Sequence, residues 1–393
     1  MERIVIVSNG HGEDAIGTAI GRALTALGWE VVALPLVGQG RAYAQAGFPV
    51  LGPRREMPSG GFVHLNLRVF LKDLKAGWFA MSRAQYRALH EAARTASATL
   101  IVGDLIVGDV YALWVGTRFG KPPFYHVQPL VSVYYQEGLK PWQELHRVSV
   151  NGFIWPERKL MRRARRVYPR DAATETHLHR LGIHHARYLG NPMMDAVEGR
   201  APVDAPEPYL LLLPGSRKDA YFSLPLMLEA ALHLPLTPVI AWAGLPLSGL
   251  ALPDWRVRPT PNPCGVTHVL THTSGRKAYL TQGAFRTLLE LQSRLAFATA
   301  GTAAEQAAGY GIPLIAFPTP GPQYTPGFAR AQQRLLGEAL TLVPPDPKAL
   351  AEAARALLEH PDRYRRAQAA GRERMGPPGG AQRIAEDLST TVG

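Results

Sequence analysis

Short runs of Val, Ile and Leu alternate along the chain with longer stretches rich in Ala, Leu and Arg. The apolar runs predict strands at Arg3–Ser8, Glu30–Leu34, Thr99–Gly103, Pro123–His126, Arg166–Tyr168 and Ala186–Leu189. A second series is predicted at Tyr209–Leu213, Thr237–Ala241, Lys277–Leu280, Leu295–Thr299 and Leu314–Phe317. Many of these runs are apolar throughout, the pattern of a strand covered on both faces. Alternation of such strands with helical patterns predicts parallel sheets, and the series is too long for one compact sheet. The proline-rich polar stretch "EGRAPVDAPEPY" at 198–209 separates the two halves and reads as a linker. The expected organisation is an N-terminal domain over 1–198, a linker over 199–208 and a second domain over 209–375. Helical patterns run over Pro347–His360 and Asp362–Gly371, and "GPPGG" at 376–380 breaks the second. A last helix within 376–393 is expected to pack back on the N-terminal domain. The predicted fold class is α/β, two Rossmann-like parallel-sheet domains facing a cleft, with ligand at the carboxyl ends of the strands.

Composition narrows the partners. The chain has 393 residues, 46% of them hydrophobic, and a formal charge of +12. That balance favours anionic partners such as nucleotide phosphates or acidic headgroups. Nucleic acid is not expected, because no recognition module or aromatic stacking strip accompanies the charge. The single cysteine, Cys264, permits neither an intrachain disulfide nor a thiolate metal cluster, and fits a reducing compartment. No signal peptide and no apolar stretch of spanning length is legible, so a cytoplasmic location is expected.

Several loops carry residues suited to chemistry. The first strand runs into Ser8-Asn9-Gly10-His11-Gly12-Glu13-Asp14. Gly10 and Gly12 permit a tight turn and close backbone approach. His11, Glu13 and Asp14 either meet sugar hydroxyls or take a proton, or the two acids only complement the dipole of the helix that follows. The loop is not G-x-G-x-x-G and indicates no dinucleotide. In "LIVGDLIVGDVY" (100–111), Asp104 and Asp109 interrupt an apolar strand and turn. A carboxylate in an apolar cleft has a raised pKa and can act as a base; the alternative is a helix cap.

The second half offers a phosphate site. In "YLLLLPGSRKDAY" (209–221), Gly215 lets the backbone approach an oxygen, Ser216 donates a hydrogen bond, and Arg217 fits a diphosphate bidentately. In "LAFATAGTAAEQAAGYGIPLIAFP" (295–318), a strand leads through Gly301 and Thr302 into a helix whose start presents N–H groups to phosphate. Glu305, one turn in, is placed to accept ribose hydroxyls. In "FPTPGPQYTPGFARAQQRLLG" (317–337), Gln323, Gln332 and Gln333 either bond sugar hydroxyls or lie on a solvated face.

"GNPMMDAV" (190–197) resembles the "GHPL-x-D" segment of lipid-A-disaccharide synthase, and "LLLPGSR" resembles that family's LPGSR loop. "ATAGTAAEQAAGYGIPLIAFP" resembles its donor helix, and "SNGHGEDAIG" is a looser echo of its opening loop. The resemblance implies the GT-B glycosyltransferase fold and inverting, metal-independent transfer from a UDP-sugar, a substrate rather than a cofactor. It implies a base in the N-terminal domain, with Asp104 first and Asp109 and His11 following. It implies that Asn191, which stands where the synthase has His, lies near substrate. It also implies that backbone around Gly283 holds the nucleotide base. The acceptor expected is a lipid or glycolipid. No Asp-x-Asp metal clamp is visible. A UDP-sugar epimerase, or a non-catalytic sugar-nucleotide or lipid binder, would fit the same scaffold.

Two segments bear on membranes. "FVHLNLRVFLKDLKAGWFAM" (62–81) places apolar residues at helical spacing with basic flanks, suited either to a bilayer interface or to packing on the sheet. "ERKLMRRARRVYPR" (157–170) is densely basic, suited to acidic headgroups or to a solvated face. Peripheral contact at the inner face of an anionic membrane is expected.

Overall fold

The computed structural model of the protein describes residues 2–54, 78–103, 123–129, 131–138, 153, 155–291, 293–321 and 323–392. They form two compact units: Met1–Ala196 together with Pro378–Gly393, and Val197–Pro377.

Unit 1 holds a five-stranded, wholly parallel sheet of order β2-β1-β3-β4-β5. Its strands are β1 (Arg3–Ser8), β2 (Glu30–Pro35), β3 (Ala98–Val102), β4 (Phe124–Gln128) and β5 (Arg166–Pro169). The helices α1 (His11–Ala26), α2 (Arg41–Gln45), α3 (Trp78–Ala93), α4 (Trp155–Met161) and α5 (Ala172–Arg180) connect them. Ile16, Ile20 and Leu24 recur every four residues, so α1 lays one buried stripe along its length. Val5, Val7, Ile101 and Val167 pack on one sheet face with Leu160, Met161 and Leu178. α5 starts where Asp171 accepts the Thr174 N–H at 2.7 Å. The expected strand at Ala186–Leu189 is absent: only the pair Val167–Ala186 forms a bridge.

Unit 2 holds an eight-stranded sheet of order β13-β12-β11-β6-β7-β10-β9-β8. Its central strands are β6 (Tyr209–Leu213), β7 (Thr237–Ala241), β10 (Lys277–Gln282), β11 (Leu295–Ala298) and β12 (Leu314–Ala316). The edge strands β8 (Trp255–Pro259) and β13 (Leu340–Leu342) and the adjoining β9 (Gly265–His272) were not anticipated, and β9 runs antiparallel to both β8 and β10. The helices are α6 (Asp219–Ala231), α7 (Phe285–Glu290), α8 (Thr302–Gly309), α9 (Pro326–Leu336), α10 (Pro347–Glu359) and α11 (Pro361–Met375). Thr325 and Asp346 cap α9 and α10, each followed by proline at the first helical position. Leu210, Leu212, Ile240, Phe297 and Ile315 form the centre of the core.

α12 (Gly380–Thr391) returns to unit 1. Both carboxylate oxygens of Asp195 accept from its first turn, from Gly379 N at 2.5 Å and Ala381 N at 2.7 Å. Asp387 accepts from the Tyr168 hydroxyl at 2.9 Å and from Arg187 at 2.6 Å, and Ser389 accepts from the Trp29 indole at 2.9 Å.

Candidate functional site

In unit 2 the chain passes from β6 to β7 on one side and later places β11 on the other. The carboxyl ends of β6 and β11 therefore flank the point where the winding reverses, the place at which open α/β sheets leave a crevice. The loops after these strands lie side by side. Thr299 Oγ1 is 3.1 Å from the Pro214 carbonyl and 2.7 Å from Ser223 Oγ. Gly215 has φ +94°, and a Cβ there would sit 3.3 Å from the Thr299 carbonyl, so glycine suits both the conformation and the gap. Ser216 and Arg217 are exposed beyond it, and Thr302 is exposed at the start of α8. Gly301 caps α8 without any side-chain hydrogen bond. Arg217 and the start of α8 thus project from neighbouring loops at one end of one sheet.

The loop after β12 joins the same region. Asp219, buried in the first turn of α6, accepts from the Thr319 hydroxyl and from Tyr324 N at 3.1 Å. Gly321 lies so close against the Asp219 carboxylate that a Cβ would collide with it. Thr319 N donates to the Tyr324 carbonyl at 2.8 Å, closing the loop on itself. Gln323 is exposed at its tip and Gln333 is half-buried. Gln332 has a different place from the one expected: it is buried, and its amide is engaged inside the fold by Tyr324, Ala300 and Gly301. It is not available to a sugar hydroxyl. Glu305 is buried one turn into α8; burial, and after it the Glu305 charge, raises the Tyr324 phenol well above its ordinary value.

Gly283 follows β10, where residues 197–201 enter unit 2. Its carbonyl accepts from Ala201 N at 2.9 Å, while Arg286 N and Thr287 N donate to the carbonyls of Glu198 and Gly199. Several backbone groups of this loop are thus taken by the incoming chain.

In unit 1 the switch point lies between β1 and β3. Gly10 precedes α1, which begins at His11, and Gly12 is exposed. The buried Glu13 carboxylate folds back over Gly10. Ser8 donates to Asp14 Oδ1 at 2.6 Å, and burial lifts the Asp14 carboxyl to about 7, with the Ser8 bond opposing the rise. Asp104 and Asp109 lie outside the described residues. Asn191 is fully buried, and its side-chain oxygen caps the 3-10 turn Pro192–Met194 by accepting from Met193 N at 3.1 Å. Among the described residues no cluster of His, Cys, Asp and Glu could hold a metal ion.

Sequence reasoning passed over Asp219, Thr299 and Tyr324, and offered Asp14 only together with His11 and Glu13 as a group that meets sugar hydroxyls or takes a proton. A local signal exists for one of them: Asp219 follows Arg217 by two residues at a helix start, where a carboxylate is favoured.

No protein-family model matches the sequence, and no curated protein does. Solved structures match along the whole length. The calicheamicin glycosyltransferase CalG4 is similar over 100% of this chain and 98% of its own, with 14% identity and a TM-score of 0.62. Phytolacca americana UGT2, complexed with UDP-2-fluoro-glucose and pterostilbene, matches over 100% of both chains at 12% identity and a TM-score of 0.60. The UDP-GlcNAc 2-epimerase of Neisseria meningitidis, bound to UDP-GlcNAc, matches over 99% of both chains at 13% identity and a TM-score of 0.56. The chain has the GT-B fold that glycosyltransferases and these epimerases share.

Proposed function

We propose that the protein is a glycosyltransferase that moves a sugar, GlcNAc-type or another hexose, from a UDP-sugar to a lipid-like acceptor. The observation that carries this reading is the pairing of the Gly215–Arg217 loop with the open start of α8 across the β6–β11 crevice. A guanidinium and unmatched helix N–H groups together suit a diphosphate, whose charge grows as the sugar leaves. That arrangement needs no metal to neutralise the leaving group, and transfer with inversion needs only a base on the acceptor side. Asp104, Asp109 and His11 are the proposed bases, and Asp14 joins them because a carboxyl titrating near 7 can take a proton at neutral pH. Glu305 is the proposed ribose ligand. Among the glycosyltransferases, the motifs at Leu189–Val197 and Leu211–Arg217 favour a relative of lipid-A-disaccharide synthase.

A basic and aromatic surface patch supports a lipid acceptor. Trp155 is 62% exposed on α4, with Lys159 Nζ 5.3 Å from its ring, and Arg162 and Arg163 are exposed beside them. An exposed indole among cations suits an anionic interface. Among the described residues no helix is long and apolar enough to cross a membrane.

A UDP-sugar epimerase is the second reading, favoured by the epimerase bound to UDP-GlcNAc among the structural neighbours. One experiment separates them. Incubation of the protein with labelled UDP-sugars, with and without membrane lipid extract, is expected to label a lipid only when extract is present. Conversion of UDP-GlcNAc by NMR without any acceptor would instead identify the epimerase. No UDP binding at all would dismiss both.

A further inference from the structure

The turn Ala300-Gly301-Thr302 is held from one side by a single carboxamide. Gln332, on α9, is 1% exposed. Its Nε2 donates to the Ala300 carbonyl at 3.2 Å and to the Gly301 carbonyl at 3.0 Å. Its Oε1 accepts from the Tyr324 hydroxyl at 2.6 Å. A trans peptide directs its N–H opposite to its C=O. Two carbonyls turned toward Gln332 therefore send the next two amides, of Gly301 and Thr302, the other way. The same Gly301 carbonyl also accepts from Ala304 N at 3.1 Å and Glu305 N at 3.2 Å, which fixes that peptide plane against the first turn of α8.

The chemistry of the clamp is specific. Its geometry requires donors toward two carbonyls and an acceptor toward a phenol, and a carboxamide supplies both at one end of one side chain. Tyr324 is itself fixed, because its backbone N–H bonds Asp219 and its ring meets Phe328 edge-on at 5.4 Å. Phe328 is 41% exposed, and its ring tip would stand 3.5 Å from a Cβ at Gly301. The loop after β12 and the first turn of α6 are thus tied to the turn that opens α8.

We infer that Gln332, aligned by Tyr324, is a positioning residue that presents the Gly301 and Thr302 amides to the diphosphate of a bound nucleotide. The inference rests on the donor site proposed above. Gln332 touches no ligand; it sets the direction of the groups that do. Its removal therefore weakens recognition of phosphate and leaves recognition of the nucleoside alone.

The test compares UDP with uridine. Affinity for UDP is measured by calorimetry and for uridine by ligand-observed NMR, on the full chain, with the unfolding midpoint recorded for each variant. Gln332→Leu keeps the size of the side chain and removes both donors; it is expected to weaken UDP about tenfold, the effect of about one good hydrogen bond. Tyr324→Phe removes only the hydroxyl and is expected to lower UDP affinity by a smaller factor. Uridine binding is expected to stay at the wild-type level in both. Unchanged UDP affinity in both variants would overturn the inference, and so would equal losses for UDP and uridine, which would mark a merely structural role. If Gln332→Leu does not fold, the same comparison on Tyr324→Phe decides. Failure of the wild-type protein to bind UDP would instead remove the donor site on which the inference rests.

Discussion

Arg217 and Glu305 carry opposite charges and opposite exposures, and their replacement is expected to separate two parts of one nucleotide. Arg217→Ala is expected to weaken UDP by about 1.5–3 kcal/mol, the range for hydrogen bonds to charged groups. Glu305→Ala is expected to lower affinity for UDP by a similar amount, with less effect on 2′,3′-dideoxy-UDP, which lacks the ribose hydroxyls. Calorimetry with both nucleotides checks this. Two buried groups make stability depend on pH in opposite senses. The folded chain keeps a proton on Asp14 between pH 3.8 and about 7 while the unfolded chain has lost it, so this group's contribution falls as pH rises through 7. Asp14→Asn is expected to gain stability over wild type above pH 7, by up to a few kcal/mol, because each tenfold difference in proton affinity between the folded and unfolded chain is worth about 1.4 kcal/mol. His126 is fully buried, its Nε2 lies 3.1 Å from the Gly103 carbonyl, and burial lowers its pKa to about 4. Between pH 6.5 and about 4 the unfolded chain takes up a proton that the folded imidazole refuses. His126→Gln is therefore expected to flatten the loss of stability in acid. Urea titrations across pH 4–8 check both, and the two slopes oppose each other where they overlap. At this scale the sequence is least informative about burial. Gln323, Gln332 and Gln333 lie within eleven residues and look alike as letters, yet one is exposed, one buried and one between. Gln323 sits on the loop before α9, while Gln332 and Gln333 differ by which face of α9 meets the α8 turn, and that is decided by distant chain.

Asp195 shows how an element can be ended by residues far away. Its carboxylate receives the start of α12, almost two hundred residues further along. Asp195→Ala is expected to destabilise unit 1 by about 0.5–2 kcal/mol, the usual effect of removing a helix cap, with Asp195→Asn nearer the low end because one acceptor oxygen remains. A lowered urea midpoint with unchanged slope checks it. β6 was legible because it is apolar throughout, and Leu210–Leu213 are all at most 2% exposed. The edge was harder to read. β8 is "WRVRP", exposed over most of its length, and such alternating charged strands resemble loops in composition. The tight turn at Thr273-Ser274-Gly275-Arg276, with Gly275 at φ +86°, was the available signal for the β9–β10 hairpin. Ala186–Leu189 erred in the other direction: an apolar run beside β5 gained one bridge and no ladder. The helical patterns read over Pro347–His360 and Asp362–Gly371 correspond to α10 and α11, and proline stands at the first position of α9, α10 and α11.

For the whole molecule, the formal charge of +12 sets how it meets surfaces. Sedimentation with vesicles rich in anionic phospholipid is expected at low salt and is expected to weaken steeply as salt is raised, because screening shortens the reach of each charge. Trp155→Ala is expected to reduce that binding without altering UDP affinity, since the indole belongs to unit 1 and the proposed nucleotide site to unit 2. The fold class was legible from the alternation of strands and helices. The candidate donor site was legible because its residues cluster in two short stretches after β6 and β11. The acids expected on the acceptor side, Asp104 and Asp109, fall outside the described residues. The return of α12 to unit 1 also has a bearing on how the protein is made. All of Val197–Pro377 is translated before the piece that completes the earlier unit. Through that time Trp29, Tyr168, Arg187 and Asp195 wait on the nascent chain for partners not yet synthesised.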